Sequence, residues 1–291
     1  MSHLVNHRSR SAIPDFLALR PRSLLEARDM LDSEPDTMAM AGGLDVVNRM
    51  KEGLAPRRLV MLAGIDNIDV IRLSPEQGGI DVGAGVSHDA LANSEIVRAH
   101  LPDLAHCWER IANIRIRMQG TVAGNLLALM PGYEGPILLS ALDASLLYST
   151  SEMLNASVAL TEFDAASDAF FLSRGLIEKV RVPLPPKGTT RRLVYDRSLR
   201  PFLSVALRID HADGVIVAAR AVVGGCHRWP FWCDLPVGKL SLPDLHALAD
   251  GIAIAAVRQM PPPTVAWFGL SHYREKVAPV LLSRLIREIA S

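Results

Sequence analysis

Two glycine turns constrain this chain more than any other feature of its sequence. They are Ala41-Gly42-Gly43-Leu44-Asp45-Val46 and Gly120-Thr121-Val122-Ala123-Gly124-Asn125, about 80 residues apart. Each follows an apolar segment and leads into another. Glycine lets the backbone reach positive φ and lets a ligand approach bare N–H groups. Consecutive N–H donors pointing into one concavity form an anion nest suited to a diphosphate. Thr121 and Asn125 add side-chain donors to the second turn. Neither turn fits the dinucleotide fingerprint or the P-loop lysine pattern, so a Rossmann site is not indicated. Taken singly, each turn reads first as a tight connection between elements.

The segments around these turns read as mixed α+β. Leu24 to Leu31 has helical spacing, with Ser23 as N-cap and Glu26 three positions later completing a capping box. The run before the first turn and the run Arg57 to Ile65 are short apolar strands, and Ile80, Val82, Ala84 and Val86 alternate as in a half-buried strand. Leu101, Leu104, Ala105, Trp108, Ile111 and Ala112 fall at helical spacing, and a second helix is expected over 136–144. The segment 176–186 alternates and ends in prolines, which cannot continue a ladder. Its Pro-Pro-Lys-Gly stretch, 185–188, is the expected domain boundary, with three successive strands beyond it. A closing amphipathic helix carries Val277, Leu281, Leu285 and Ile289, with Pro279 expected in its first turn or at a kink. No βαβ alternation and no internal repeat is visible.

Bulk properties exclude several classes. At 291 residues there is material for two ordinary domains, and 31 basic residues balance 31 acidic ones. That balance gives no overall pull toward nucleic acid or an anionic membrane. No run approaches the roughly 18 apolar residues of a membrane span, and the N-terminal residues carry no apolar signal core. Three cysteines cannot build a disulfide framework, so a cytoplasmic setting is expected. No metal site is expected either. The segment Cys226 to Cys233 offers only three ligands among apolar neighbours, and reads instead as a buried or partner-facing aromatic stretch. No catalytic residue is expected on this chain; Ser87-His88-Asp89 comes nearest to a catalytic pair but reads as a helix start.

The order of these pieces resembles the FAD-binding medium subunit of the molybdenum hydroxylases, such as carbon monoxide dehydrogenase and the bacterial xanthine dehydrogenases. The resemblance runs from about Ile13 to the C-terminus. It is carried by PDFLALRPRSLLEARDML, AGGLDVV, GAGVSHDALANSEIV, LPDLAHCWERIANIRIRMQGTVAGN, LIEKVRVPLPP and SHYREKVAPVLLSRLIREIA. It implies an α+β fold: a two-lobed FAD-binding domain of the vanillyl-alcohol oxidase (PCMH) type over 1–185, with lobes of about 1–62 and 63–185. A smaller α+β C-terminal flavoprotein domain over 188–291 would follow.

The resemblance further implies that Ala41, Gly42, Gly43, Leu44, Asp45 and Val46, with Gly120, Thr121, Ala123, Gly124 and Asn125, hold the FAD diphosphate between the lobes. Glu134 matches a family aspartate close to the cofactor, Ile177 a position whose backbone meets the flavin or adenine, and Tyr195 an aromatic position near the isoalloxazine. Read from the residues alone, these three are equally an exposed acid, a core isoleucine and a strand tyrosine. The chain departs from the family at Ala123 (usually glycine), Met118 (often asparagine), Ser204 (commonly aspartate) and in a loop after Phe171 about ten residues shorter than usual.

The function implied is electron transfer. FAD on this chain receives electrons from 2Fe-2S clusters on a small subunit, fed by the molybdenum cofactor of a large subunit, and passes them to an external acceptor. A heterohexamer of two three-subunit halves is implied, with no nucleic acid and no membrane span. Two alternatives stay open at this point: a self-sufficient PCMH-type flavin oxidoreductase, and a flavin-free structural subunit of the complex.

Overall fold

The structure, a computed structural model, describes residues 12–198, 203–264 and 271–291. The first element group is a small parallel sheet in the order β1-β3-β2, from β1 (Leu17–Leu19), β2 (Thr37–Met40) and β3 (Arg58–Met61). Helices α1 (Leu24–Ser33) and α2 (Leu44–Lys51) connect the strands. Because β2 and β3 pair in parallel with α2 between them, this lobe contains a βαβ unit that the sequence reading did not expect. Strands of three or four residues are too short to show alternation, and α2 buries only Met50, so neither period stands out.

The cap of α1 also differs in detail from the expected capping box. Ser23 accepts from the Glu26 N–H at 3.1 Å, as expected. The Glu26 carboxylate, however, accepts from the backbone N–H of Arg22 at 2.6 Å, one residue before the N-cap.

The second lobe is an antiparallel sheet in the order β4-β5-β8-β6-β7, from β4 (Ile71–Ser74), β5 (Gly79–Gly83), β6 (Ser145–Ser149), β7 (Ala156–Ala159) and β8 (Leu176–Pro183). Strand β5 is buried along its whole length, so it is a central strand rather than the half-buried one expected. Its polar residue Asp81 sits opposite Arg181 on β8 and bonds both Arg181 and Lys179 at 2.7 Å. Six helices lie between β5 and β6: α3 (His88–Asn93), α4 (Glu95–His100), α5 (Pro102–Glu109), α6 (Ile114–Gln119), α7 (Val122–Leu127) and α8 (Glu134–Ala141). Helix α8 is buried at every position, which suits its run of leucine, isoleucine and alanine. Helix α9 (Phe163–Leu172) leads into β8.

After the 185–188 stretch the chain forms an antiparallel sheet, β12-β11-β10-β9, from β9 (Thr190–Arg197), β10 (Ser204–Ala212), β11 (Val215–Gly224) and β12 (Phe231–Asp234). One face puts Leu193, Tyr195, Ala206 and Val222 into the core shared with the second lobe. The other face puts Val205, Leu207, Ile209 and Val223 against α10 (Leu242–Ala247), α11 (Ala249–Val257) and α12 (Ser271–Ala290). Pro279 lies well inside α12, beyond the first turn. There its missing N–H removes one bond of the helix ladder.

The tryptophans of the Cys226–Cys233 segment fasten the sheet to the second lobe. The indole N–H groups of Trp229 and Trp232 donate to the carbonyls of Leu160 at 2.6 Å and Thr161 at 3.0 Å. Both flanking cysteines are buried, and burial pushes each thiol up to about 11. Among the described residues no His, Cys, Asp and Glu group is placed to hold a metal ion. Nor is any helix among them long and apolar enough to cross a membrane.

Candidate functional site

The two glycine turns come together. A Cβ on Gly42 would stand 1.9 Å from the carbonyl oxygen of Gln119, so only glycine permits this approach. The Gln119 side chain returns a hydrogen bond to the Gly42 carbonyl at 2.9 Å. On the other side, a Cβ on Gly120 would meet Leu44 Cδ1 at 3.2 Å and His88 Cδ2 at 3.0 Å. The turns therefore form a continuous backbone floor across the seam between the lobes.

That floor belongs to a cavity of about 660 Å³, the size of an ordinary small-molecule or cofactor site. Ala41 to Val46, Gly120, Thr121, Ala123, Gly124, Asn125, Glu134 and Ile177 all line it. Tyr195 is not among the lining residues. It is a buried strand tyrosine whose hydroxyl donates to Ser204 Oγ at 3.3 Å, and burial together with the Glu134 charge pushes its pKa up. Ser204 thus serves as the tyrosine's partner. Ile177 is both a core residue of β8 and part of the cavity wall.

Local geometry assigns the turns different roles. Gly43 is the N-cap of α2 in the left-handed region, φ +77, and no side chain caps the first-turn N–H groups. The second motif is not an open turn throughout: Thr121 is the N-cap of α7, and Ala123, Gly124 and Asn125 lie within that helix. Thr121 Oγ1 accepts from the Gly124 N–H at 3.1 Å, and the Asn125 N–H is taken by the Thr121 carbonyl at 3.0 Å. Asn125 Oδ1 accepts from the Gly135 N–H at 3.1 Å, tying α7 to α8. Asn125 therefore faces the cavity while its oxygen supports the wall.

The charged groups of the cavity are engaged by the protein. Asp45 bonds Arg49 at 2.7 Å, and Arg49 also donates to the Ala128 carbonyl at 2.7 Å. Burial still raises the Asp45 carboxyl, with the Arg49 charge opposing. Glu134 is buried and paired with Arg197 at 2.6 Å, so it is not an exposed acid. Burial raises its pKa too, against the lowering effects of its own backbone N–H and of Arg197.

Four further lining residues, His88, Tyr133, Phe171 and Arg174, were not singled out as cofactor contacts. Arg174 donates to the carbonyls of Leu31, Glu34 at 2.7 Å and Pro35 at 2.9 Å. It thereby clamps the end of α1 to the short turn after α9. His88 carried the only sequence signal of the four, because Ser87 marks it as a helix start. Ser87 does cap α3, accepting from the Ala90 N–H at 3.1 Å.

Residues 14–185 match the family model for the FAD binding domain in molybdopterin dehydrogenase, which spans more than half of the chain. This chain belongs to that family. Along nearly its full length it is 25% identical to the glyceraldehyde dehydrogenase medium chain of Sulfolobus acidocaldarius, covering 95% of this chain and 99% of the relative. It is 27% identical to the carbon monoxide dehydrogenase medium chain of Afipia carboxidovorans, covering 92% and 94%. The structure of a reconstituted CO dehydrogenase from Oligotropha carboxidovorans superimposes with a TM-score of 0.79 at 25% identity, over 94% of this chain and 97% of the other. The fold is thus the two-lobed FAD-binding type followed by the flavoprotein C-terminal unit, and FAD is its cofactor.

Proposed function

We propose that the chain is the electron-transferring FAD subunit of a multi-subunit molybdenum hydroxylase. The observation that carries this reading is the single cavity lined by both glycine turns at the seam between the lobes. The uncapped first-turn N–H groups of α2 suit a diphosphate, and Leu31, Leu62, Ile111 and Ile177 supply apolar wall for an aromatic ring system. The residues present fit FAD. Gly42, Gly43 and the start of α2 would hold the diphosphate with Gly120 and Thr121, while Asp45 acts through its pair with Arg49. Glu134, Ala123, Asn125 and the backbone at Ile177 would border the rest of the cofactor, with Tyr195 buried behind Glu134.

Bound flavin supplies the capacity to take electrons singly and release them in pairs. The chain's own residues position it and exclude water. His88, held down at about 4 by burial and then by the Arg117 charge, is a weak base, far below the pKa of about 7 that suits a general base. Asp45 and Glu134 are each ion-paired. No group singled out in the cavity is thereby poised as a general base for direct substrate oxidation, which favours electron transfer over a self-sufficient oxidase.

The relatives named medium chains support assembly with further subunits; in this reading those are a large molybdenum-binding subunit and a small iron–sulfur subunit, in a heterohexamer. Three free, buried cysteines suit a reducing compartment such as the cytoplasm. The test is to purify the chain alone and with its partner subunits, then record visible spectra and released cofactor. FAD near one per chain, reduced by substrate only in the complex, is the expected result. Turnover by the chain alone would overturn the electron-transfer reading, and a colourless chain within the complex would overturn flavin binding.

A further inference from the structure

The cavity has an electrostatic peculiarity for a diphosphate site. Its two lining arginines are occupied: Arg49 by Asp45 and the Ala128 carbonyl, and Arg174 by three backbone carbonyls. Two carboxylates, Asp45 and Glu134, line the same space, and no lysine does among the described residues. With both guanidinium groups already held by protein partners, neutral N–H and O–H donors have to supply much of the hydrogen bonding to a dianionic group there.

One such donor is built in with unusual care. His88 is 2% exposed and lines the cavity. Its backbone N–H donates to the Gly120 carbonyl at 2.9 Å, and its Cδ2 edge lies against Gly120. The indole of Trp108, which can only donate, gives its N–H to His88 Nδ1 at 3.2 Å. Nδ1 must therefore carry a lone pair, and the ring proton of the neutral imidazole resides on Nε2. Among the described residues Nε2–H has no acceptor. Resting on the FAD reading above, we infer that His88 is a diphosphate-binding residue. Trp108 fixes its tautomer so that Nε2–H donates to a phosphate oxygen of FAD beside Gly120.

The test uses the full chain, stripped of cofactor and titrated with FAD, ADP and riboflavin. A His88→Leu, Trp108→Phe double variant removes the donor without leaving a buried indole N–H unpaired. It should weaken FAD and ADP by roughly tenfold, the scale of one lost hydrogen bond, and leave riboflavin unchanged. His88→Gln, which can accept from Trp108 and donate to the ligand, should retain both affinities within about threefold. Unchanged FAD and ADP affinity in the folded double variant overturns the inference. So does a loss seen with riboflavin but not ADP, which would place the ring against the flavin. If the double variant does not fold, the ³¹P resonances of FAD bound to wild type and His88→Gln decide: they should shift, and coincident spectra reject the contact. Failure of the wild-type chain to bind FAD or ADP would instead sink the FAD-site reading on which the inference rests.

Discussion

The indole N–H of Trp108 donates to Nδ1 of His88 at 3.2 Å, with the two rings tilted at 37° and both side chains buried. Protonating Nδ1 would break this bond and bury a charge, and burial leads the causes that bring His88 from 6.5 to about 4. The sign of the linkage follows. Above pH 6.5 the ring is neutral in both folded and unfolded chain and pH has no effect through it. Between 6.5 and 4 only the unfolded chain takes the proton, so stability falls with falling pH, by about 3 kcal/mol in all. Chemical denaturation of the apo chain from pH 7 to pH 4 should show this loss, and His88→Gln should remove most of it. An identical pH slope in that variant would refute the assignment.

The approach of the two turns makes a sharp contrast between adjacent glycines. Gly42→Ala places a methyl 1.9 Å from the Gln119 oxygen, a backbone atom that cannot swing aside. The turns must separate, and FAD affinity should fall by tenfold or more, with a stability loss of about 1–3 kcal/mol. A Cβ on Gly43 would meet only the flexible end of Met40, its sulfur at 3.3 Å, but the backbone there has a φ of +77. Alanine there should cost about 1–2 kcal/mol through the backbone alone. Asparagine, which tolerates the left-handed region, should cost less than alanine. Flavin content per purified chain and melting temperature would check both. Equal tolerance at the two positions would contradict the geometry.

Much of this site was legible because glycine turns announce a local backbone requirement that no partner elsewhere need explain. The strand at β8 and the helix at α5 were legible for the same reason, since their periodicity lies in consecutive residues. Longer-range features were not. Arg174 meets carbonyls 139 to 143 residues away, and nothing in its neighbours signals backbone acceptors at such a distance. Ala123, Gly124 and Asn125 passed for an open turn because a six-residue helix with a glycine in it shows no period. Tyr195 shows the opposite limit. A motif position carried its identity, but only the strand register, opposite Ala206, sets its hydroxyl toward Ser204 and away from the cavity lining.

Asp81 on the central strand β5 gives a second pH signature, opposite in position on the scale. Burial would raise its carboxyl, but hydrogen bonds from Arg181 and Lys179 overcome this and hold it at about 2, below its usual 3.8. Its stabilising contribution is therefore present above pH 3.8 and lost as pH falls toward 2. The partners are partly water-exposed, 22% and 34%, so the contribution is on the order of 1 kcal/mol after screening. Asp81→Asn should lower stability at pH 7 while flattening the acid limb between pH 4 and 2. A variant as stable as wild type at pH 7 would show that the pair adds nothing net.

Arg174 stands in the turn of a few residues between α9 and β8. Its own φ is +49, and its guanidinium reaches the Leu31, Glu34 and Pro35 carbonyls at the end of α1. A charged donor on helix-terminal carbonyls also complements the negative end of the helix dipole. The clamp holds the first lobe to the second beside the cavity. Arg174→Ala should therefore destabilise the chain by about 2 kcal/mol, and faster amide exchange should concentrate in Leu24–Ser33. Lysine cannot fork to several carbonyls and should rescue only part of the loss. FAD affinity should fall through a faster off-rate, because a loosened lobe opens the cavity more often. If exchange in α1 stays at the wild-type rate while FAD dissociates faster, the arginine acts on the cofactor directly rather than by holding the lobes together.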